Sequence, residues 1–137
     1  MATDEKTISS EQMYRIEENG QSNFGMKKVL MMENAGHGIA DFIVSEKGHD
    51  LYGKKIISFC GTGNNGGDAM VASRHLSSYH GADVTIVLLG DADNIKTEES
   101  MVNWSIIGKM KSIRILSGTN AFELAKKEVP NSKIIID

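Results

Sequence analysis

Four short apolar segments that alternate with helical segments constrain the fold more than any other feature of this sequence. They are KIISFC (55–60), DVTIVLLG (83–90), SIRIL (112–116) and SKIIID (132–137). Each contains three to five apolar residues in a short run, which is typical of strands that are buried on both faces. Because helical segments separate them, the sequence predicts a parallel sheet covered by helices on both sides.

Helix signals precede and connect these strands. Ser9 and Gln12 have the spacing of a capping box, so a first helix is predicted to begin there and to end at Gly20. A longer helix, interrupted by Gly36 and Gly38, is predicted over about 26–46. Three connecting helices follow: 68–81 ending at Gly81, 97–110 capped by Thr97 with Met101, Trp104 and Ile107 inward, and 120–129 capped by Asn120. The predicted fold class is α/β, a three-layer α/β/α Rossmann-like sandwich with a mainly parallel sheet and extra N-terminal helices.

Length, charge and cysteine content narrow the class of protein. The 137 residues suit a single domain, 1–137, and the last strand ends at Asp137, where an α/β domain would continue, so we expect the domain to be truncated at its C-terminal end. The net charge of -3 and scattered lysines argue against a nucleic-acid partner. The one cysteine excludes an internal disulfide, and no apolar stretch has the length of a membrane span or the form of a secretory signal. We therefore expect a cytoplasmic protein.

A glycine-rich segment, GTGNNGGD (61–68), lies between the first strand and the next helix. Glycines there allow a tight turn and a close backbone approach to a ligand, and the helix N-terminus favours an anionic or polar group. Gly61, Gly63 and Gly66 fit the G-x-G-x-x-G pattern, which alone is weak. Asp91 and Asp93 near the end of the second strand keep an NAD-dependent oxidoreductase open as an alternative, whereas the absence of G-K-[ST] disfavours a P-loop nucleotide triphosphatase.

The polar residues of this segment admit two interpretations. The side chains of Asn64 and Asn65 offer amide oxygens and N–H donors, which could hold a polar ring or a hard cation. Asp68 is a good helix N-cap residue, and local chemistry alone favours that role over a catalytic one. Both roles can hold if the site needs a fixed carboxylate.

Several stretches together resemble one protein family. The stretches ISSEQM, LMMENAGHGIADFI, GTGNNGGDAMVASRHL and VTIVLLGD, in this order and spacing, are similar to the NAD(P)H-hydrate epimerases, also called the YjeF N-terminal domain family. The resemblance implies a Rossmann-type sandwich that epimerises the R and S forms of hydrated NADH and NADPH, NAD(P)HX, in nicotinamide nucleotide repair. It further implies a bound potassium ion, a homodimer, and an ADP- or ATP-dependent NAD(P)HX dehydratase as the pathway partner.

The resemblance also assigns roles to residues. It implies that the substrate contacts Asn64, Asn65, Gly66, Gly67 and Asp68. Proton transfer to and from the leaving hydroxyl group needs a fixed carboxylate, and we take Asp68 as the catalytic candidate. Asn65 and Asp137 would be potassium ligands. Ala69 stands where the family usually has a glycine, and the family's second glycine loop would follow Asp137. A non-catalytic nucleotide-binding scaffold module of the same fold remains the alternative function.

Other chemically active residues have simpler explanations. Cys60, at the end of a buried strand, is interpreted as a small core residue. The four histidines show no metal-binding spacing, so surface or packing roles are predicted for them. Glu33 and Asn34 are either an ordinary polar pair on a helix or part of a stretch that supports the glycine segment.

Overall fold

The computed structural model describes residues 7–137 and contains the predicted order of elements. Two N-terminal helices are followed by strands that alternate with helices. The helices are α1 (Ser10–Phe24), α2 (Lys28–Lys47), α3 (Asn64–His80), α4 (Glu98–Ile107) and α5 (Ala121–Glu128), and the strands are β1 (Lys55–Cys60), β2 (Asp83–Leu88), β3 (Ile113–Leu116) and β4 (Ile134–Ile136). Short 3₁₀ turns occur at Ala92–Asn94 and Val129–Asn131.

The four strands form one parallel sheet in the order β3-β2-β1-β4. The chain moves outward from β1 to β2 and β3, and then returns to place β4 on the other side of β1. Such a reversal leaves a crevice at the carboxyl ends of the two adjoining strands, which is where open α/β sheets bind ligands. Here those strands are β1 and β4, and Ser58 of β1 pairs with Ile136 of β4.

Helices cover both faces of the sheet, which confirms the three-layer prediction. On one face, α3 packs on β1 and β2, and α2 and α4 pack against α3, around a core that includes Met70, Leu76 and Ile107. On the other face, α5 packs on the sheet through Ala121 and Ala125, which contact Ile57 and Val87. Among residues 7–137, every helix is too short or too polar to span a bilayer.

Two predicted helix boundaries are wrong. The first helix does not end at Gly20 but continues to Phe24 and ends at Gly25, which adopts the left-handed conformation with φ 65°. Gly20 lies inside α1 and faces α2, where a Cβ would come within 2.8 Å of the flexible end of the Met31 side chain. The third helix begins at Asn64 rather than at Asp68, and Gly63 is its N-cap.

Cap and burial predictions gave mixed results. The capping box of Ser9 and Gln12 is confirmed, and so is the Thr97 cap, whose Oγ1 accepts a hydrogen bond from the Ser100 N–H. The Asn120 side chain, however, makes no cap hydrogen bond. Ile107 is inward as predicted and Trp104 packs against the edge of the core, but Met101 is 49% exposed. The inward face of α4 carries Ser100, Asn103 and Ile107 instead, because α4 packs mainly on α3 and α2.

Candidate functional site

The glycine segment lies at the carboxyl edge of the sheet. Hydrogen bonds to backbone carbonyls of the segment and of the preceding Cys60 hold it there. The Leu89 N–H donates to the carbonyl of Cys60 at 2.8 Å, and the Lys96 N–H donates to that of Thr62 at 2.8 Å. The Ser100 hydroxyl donates to the carbonyl of Gly63 at 3.1 Å. The segment that leads from β2 into α4 therefore fixes the shape of this turn.

The N-terminus of α3 follows at once and has no side-chain cap. The first N–H groups of a helix lack partners within the helix, and together with the helix dipole they favour an anion. Asn64 and Asn65 are the first two residues of α3, and both are exposed. Two amide side chains and uncapped backbone donors thus lie together beside the crevice between β1 and β4.

The glycines of this segment divide into two kinds. A Cβ on Gly66 would lie 1.9 Å from the carbonyl oxygen of Gly61, and a Cβ on Gly67 would lie 2.5 Å from the side chains of Met32 and Ser100. Both residues are buried. Gly61 and Gly63, in contrast, have nothing within 4 Å of the position that a Cβ would occupy. Gly66 and Gly67 are thus required by the packing of the protein itself, whereas Gly61 and Gly63 border open space.

Asp68 is not the N-cap of α3, which corrects the structural role that its local sequence favoured. It lies in the second helical turn, because the helix already begins at Asn64. Its side chain is half-buried, and within residues 7–137 it gains no hydrogen bond or cation that stabilises its charge. Burial, and then the negative charge of Glu17 on α1, raise the pKa of Asp68 to about 6. A half-buried carboxyl group whose pKa is raised to about 6 is a candidate acid–base group.

The MENAG stretch (32–36) lies on α2 and packs against α3. Glu33 accepts hydrogen bonds from Arg74 and from Nε2 of His75, at 2.7 Å for the histidine. Burial opposes the ionisation of Glu33, but the His75 hydrogen bond and the Arg74 charge outweigh it and hold the pKa of Glu33 below its ordinary value. Arg74 Nε also donates to Asn103 Oδ1 of α4 at 3.2 Å. Glu33 is therefore more than an ordinary surface residue, because it joins α2 to α3.

Gly36 of the same stretch lets α2 approach α3 closely. A Cβ there would lie 2.3 Å from Cβ of Val71 and 2.7 Å from the carbonyl oxygen of Asp68. The backbone that carries Asp68 is consequently pressed against α2. The side chain of Asn34, the other polar residue of the stretch, is exposed.

Cys60 has the core role that the sequence predicted, and two of the four histidines make packing contacts with each other. Cys60 is fully buried, and burial raises the pKa of its thiol to about 11, so it is a core residue. His37 packs on His75 with ring centroids 4.6 Å apart. No cluster of three histidine, cysteine or acidic side chains in residues 7–137 is arranged to hold a metal ion.

Asp137 follows β4 directly and is exposed at the same edge of the sheet as the glycine segment. Its carboxylate and the amide oxygen of Asn65 are oxygen donors, the kind that hard cations prefer. The donor chemistry of these two residues fits an alkali cation. Sequence patterns did not indicate Glu17, Lys96 or Ser100, because each reaches the site only through the packing of α1 or of the segment leading into α4.

Comparison with known proteins decides the family. The family model described as YjeF-related protein N-terminus matches residues 28–137. This chain belongs to the YjeF-related family. The match covers most of the chain and includes the MENAG stretch, the glycine segment and all four strands.

Curated relatives from archaea carry informative names. The NAD(P)H-hydrate epimerase of Cenarchaeum symbiosum is 54% identical over 112 residues, which is 81% of this chain and 50% of that protein. The protein of the same name from Nitrosopumilus maritimus is 48% identical over 111 residues, again 81% of this chain and 50% of the relative. The bifunctional NAD(P)H-hydrate repair enzyme Nnr of Methanothermobacter thermautotrophicus is 40% identical over 64% of this chain and 16% of its own length. The chain spans about half the length of the curated epimerases it matches.

A solved structure agrees on the fold. The crystal structure of yeast ynu0, YNL200c, superposes with a TM-score of 0.78 at 24% identity and covers 96% of this chain and 55% of the yeast chain. At this identity the likeness shows the shared fold alone. The α/β architecture of this YjeF-related chain is thereby confirmed.

Proposed function

We propose that this chain carries the glycine-loop half of an NAD(P)H-hydrate epimerase site, which interconverts the R and S forms of NAD(P)HX. The names of its curated relatives support this activity. The observation that carries the proposal is the position of Asp68, a half-buried carboxyl group with a pKa of about 6 next to an uncapped helix N-terminus. An epimerase needs such a group near neutral pH, because it must both give and take a proton.

The binding step follows from the glycine segment. The open space beside Gly61 and Gly63 admits the substrate, and the exposed amides of Asn64 and Asn65 hydrogen-bond its polar groups. The N–H groups in the first turn of α3, including that of Gly66, favour the anionic part of a nucleotide, whereas the Gly67 N–H already donates to the carbonyl of Gly63. Because carbonyls of the turn are held by Lys96 and Ser100, this cradle is formed before the substrate arrives.

The chemical step assigns one residue, Asp68, to both proton transfers. In its acid form it donates a proton to the hydroxyl group on the hydrated ring carbon, the C–O bond breaks, and a water molecule leaves a ring cation stabilised by the ring nitrogen. Water then adds to the opposite face of that carbon, and the Asp68 carboxylate accepts the proton that this water loses. Atoms and charge balance, and Asp68 returns to its starting state.

The proposal includes a potassium ion held by Asn65 and Asp137. When bound, such an ion would balance negative charge near the substrate and order the turn between β1 and α3. Its test compares thermal unfolding in potassium chloride and in sodium chloride at equal ionic strength. We expect a higher melting temperature in potassium that Asn65→Ala abolishes, and equal melting of the parent protein in both salts would contradict the assignment.

The proposed setting is the cytoplasm, with a homodimer as the functional form and an ADP- or ATP-dependent NAD(P)HX dehydratase as the pathway partner. The name of the bifunctional repair enzymes supports a link to a second repair activity. Sedimentation equilibrium measures the mass in solution, and a monomer at micromolar concentration would contradict the dimer.

The activity test incubates the chain with both NADHX epimers and a dehydratase specific for the S epimer. If the chain is an epimerase, both epimers disappear completely, because R is converted to S as S is consumed. Loss of S alone, with R decaying at its spontaneous rate, would contradict the proposal and favour a non-catalytic nucleotide-binding module. Asp68→Asn is the control that separates catalysis by this site from a contaminating activity.

A further inference from the structure

A fully buried serine of α4, Ser100, donates its hydroxyl hydrogen to the glycine segment and not to its own helix. The Ser100 hydroxyl oxygen lies 3.1 Å from the carbonyl oxygen of Gly63, the N-cap of α3. Ser73, which is equally buried on α3, instead donates at 2.8 Å to the carbonyl of Ala69, one turn earlier in its own helix. Helical serines commonly make such local bonds. The bond from Ser100 therefore joins the start of α4 to the start of α3.

A second hydroxyl group supports this hydrogen bond. A carbonyl oxygen can only accept, so the proton between Ser100 and Gly63 belongs to Ser100. The Ser100 oxygen in turn accepts the proton of the Thr97 hydroxyl, 2.7 Å away. Hydrogen bonds linked in this way strengthen one another. Thr97, the N-cap of α4, thus holds the Ser100 hydroxyl in the orientation that reaches Gly63.

The bond to Gly63 orients the first backbone donor of α3. The carbonyl of Gly63 and the N–H of Asn64 belong to one trans peptide unit, in which the two groups point in opposite directions. Because Ser100 holds the carbonyl toward α4, the Asn64 N–H points away from α4. In the same way, the Lys96 N–H holds the carbonyl of Thr62 at 2.8 Å and turns the Gly63 N–H away from the segment that leads into α4.

The protein itself does not use these two oriented donors. Within residues 7–137, the N–H groups of Gly63 and Asn64 donate to no backbone carbonyl and to no side chain. The turn also borders open space, because nothing lies within 4 Å of the position that a Cβ on Gly63 would occupy. Fixed and unused N–H donors beside open space suit the oxygen atoms of an anionic group such as a phosphate.

We propose that Ser100 is a positioning residue of the site: it acts through the Gly63 carbonyl to direct the Asn64 N–H at the phosphate-bearing part of the nucleotide. This inference rests on the proposed function, whose site lies at the same turn. It adds that the start of α4 sets how tightly the nucleotide binds, whereas the proton transfer belongs to Asp68. Because the Ser100 side chain is fully buried, it acts through the backbone of the turn.

The test measures NADH binding by calorimetry in the parent chain, in Ser100→Ala and in Ser77→Ala. Ser77 is the matched control, because its buried hydroxyl donates to that of Ser112 at 2.9 Å, near the far end of α3. We expect Ser100→Ala to raise the dissociation constant of NADH by about threefold to fivefold, as the loss of one hydrogen bond would. A larger loss is not expected, because the Gly67 N–H still holds the Gly63 carbonyl at 3.1 Å. Ser77→Ala should bind NADH as the parent chain does.

A second pair of variants keeps the inference testable if Ser100→Ala does not fold. Thr97→Val removes the hydroxyl that holds Ser100, and Thr97→Ser retains it. The valine variant should bind NADH about twofold more weakly than the serine variant. Equal affinities in this pair, the parent affinity in Ser100→Ala, an equal loss in Ser77→Ala, or a parent chain that does not bind NADH would each overturn the inference.

The epimerase assay separates positioning from catalysis and from a general loss of structure. Ser100→Ala should raise KM for R-NADHX by the same factor as the NADH dissociation constant and keep kcat within about twofold, whereas Asp68→Asn should lower kcat. A fall in kcat at unchanged KM would overturn the positioning role of Ser100. Calorimetry needs no turnover, so a parent chain that binds NADH but does not epimerise NADHX would contradict the proposed function separately.

Discussion

The two halves of the glycine segment each contain two glycines, but the two pairs have opposite surroundings. Gly66 and Gly67 are buried against the chain itself, where a side chain would collide with Gly61, Met32 or Ser100. Gly61 and Gly63 border open space, and nothing in the fold requires them to be glycine. One half of the motif therefore allows α3 to start close to β1, and the other half leaves room for a ligand.

The largest expected effect comes from filling the buried half. Gly66→Ala places a methyl group 1.9 Å from a backbone oxygen, which cannot move aside as a flexible side chain can. We expect it to lower the free energy of unfolding by about 3 kcal/mol, measured by urea denaturation. A loss below about 1 kcal/mol would show that the turn adapts, and it would break the contrast between the two halves.

A similar contrast on α2 sharpens the comparison. Gly36→Ala would press a methyl group on Val71 and on the backbone of Asp68, so we expect a loss of about 2 kcal/mol in the free energy of unfolding. Gly38→Ala is the matched control, because nothing lies within 4 Å of its Cβ position. It should stabilise the protein by about 0.5–1 kcal/mol through helix propensity, and equal effects of the two changes in thermal unfolding would contradict this account.

Asp68→Asn tests whether the ionised carboxyl group of Asp68 lowers the free energy of unfolding. The pKa of Asp68 is raised in the folded state, so its contribution to stability is fully present below the unfolded pKa of 3.8 and is lost as pH rises through about 6. Asparagine does not ionise, so the variant does not lose stability as pH rises. It should be more stable than the parent at pH 7 by on the order of 1 kcal/mol, after discounting for solvent screening. Denaturation curves should converge for the two proteins near pH 4. If the parent protein instead gained stability relative to the variant as pH rises, the pKa of Asp68 would not be raised in the folded state, and the prediction would be wrong.

The smallest effect on stability is expected in the open half. Gly63→Ala adds a methyl group in open space at φ -101°, so the free energy of unfolding should change by less than about 0.5 kcal/mol. The same methyl group narrows the space for a ligand and should weaken binding of NADH, used as a stable nicotinamide nucleotide probe, in calorimetry. Unchanged NADH affinity would show that this side of the turn does not face the ligand.

Local sequence patterns were sufficient for much of the fold and for part of the site. Short apolar runs that alternate with helical segments identified β1 to β4, and Thr97 marked the start of α4, because these signals arise from neighbouring residues. The return of β4 to the side of β1 was not predicted, since strand order depends on contacts between distant segments. For the same reason the sequence suggested Asp68 as a cap and did not indicate Glu17, which approaches it from another helix.

The most direct test of the central claim measures epimerisation of R-NADHX by the parent chain and by Asp68→Asn at the same pH, together with the unfolding free energy of each. The account predicts that the parent converts the R epimer and that the variant is at least about 100-fold slower while being as stable or more stable at pH 7. A stable Asp68→Asn protein that retains the parent rate would contradict it, because the proton would then be transferred by another group.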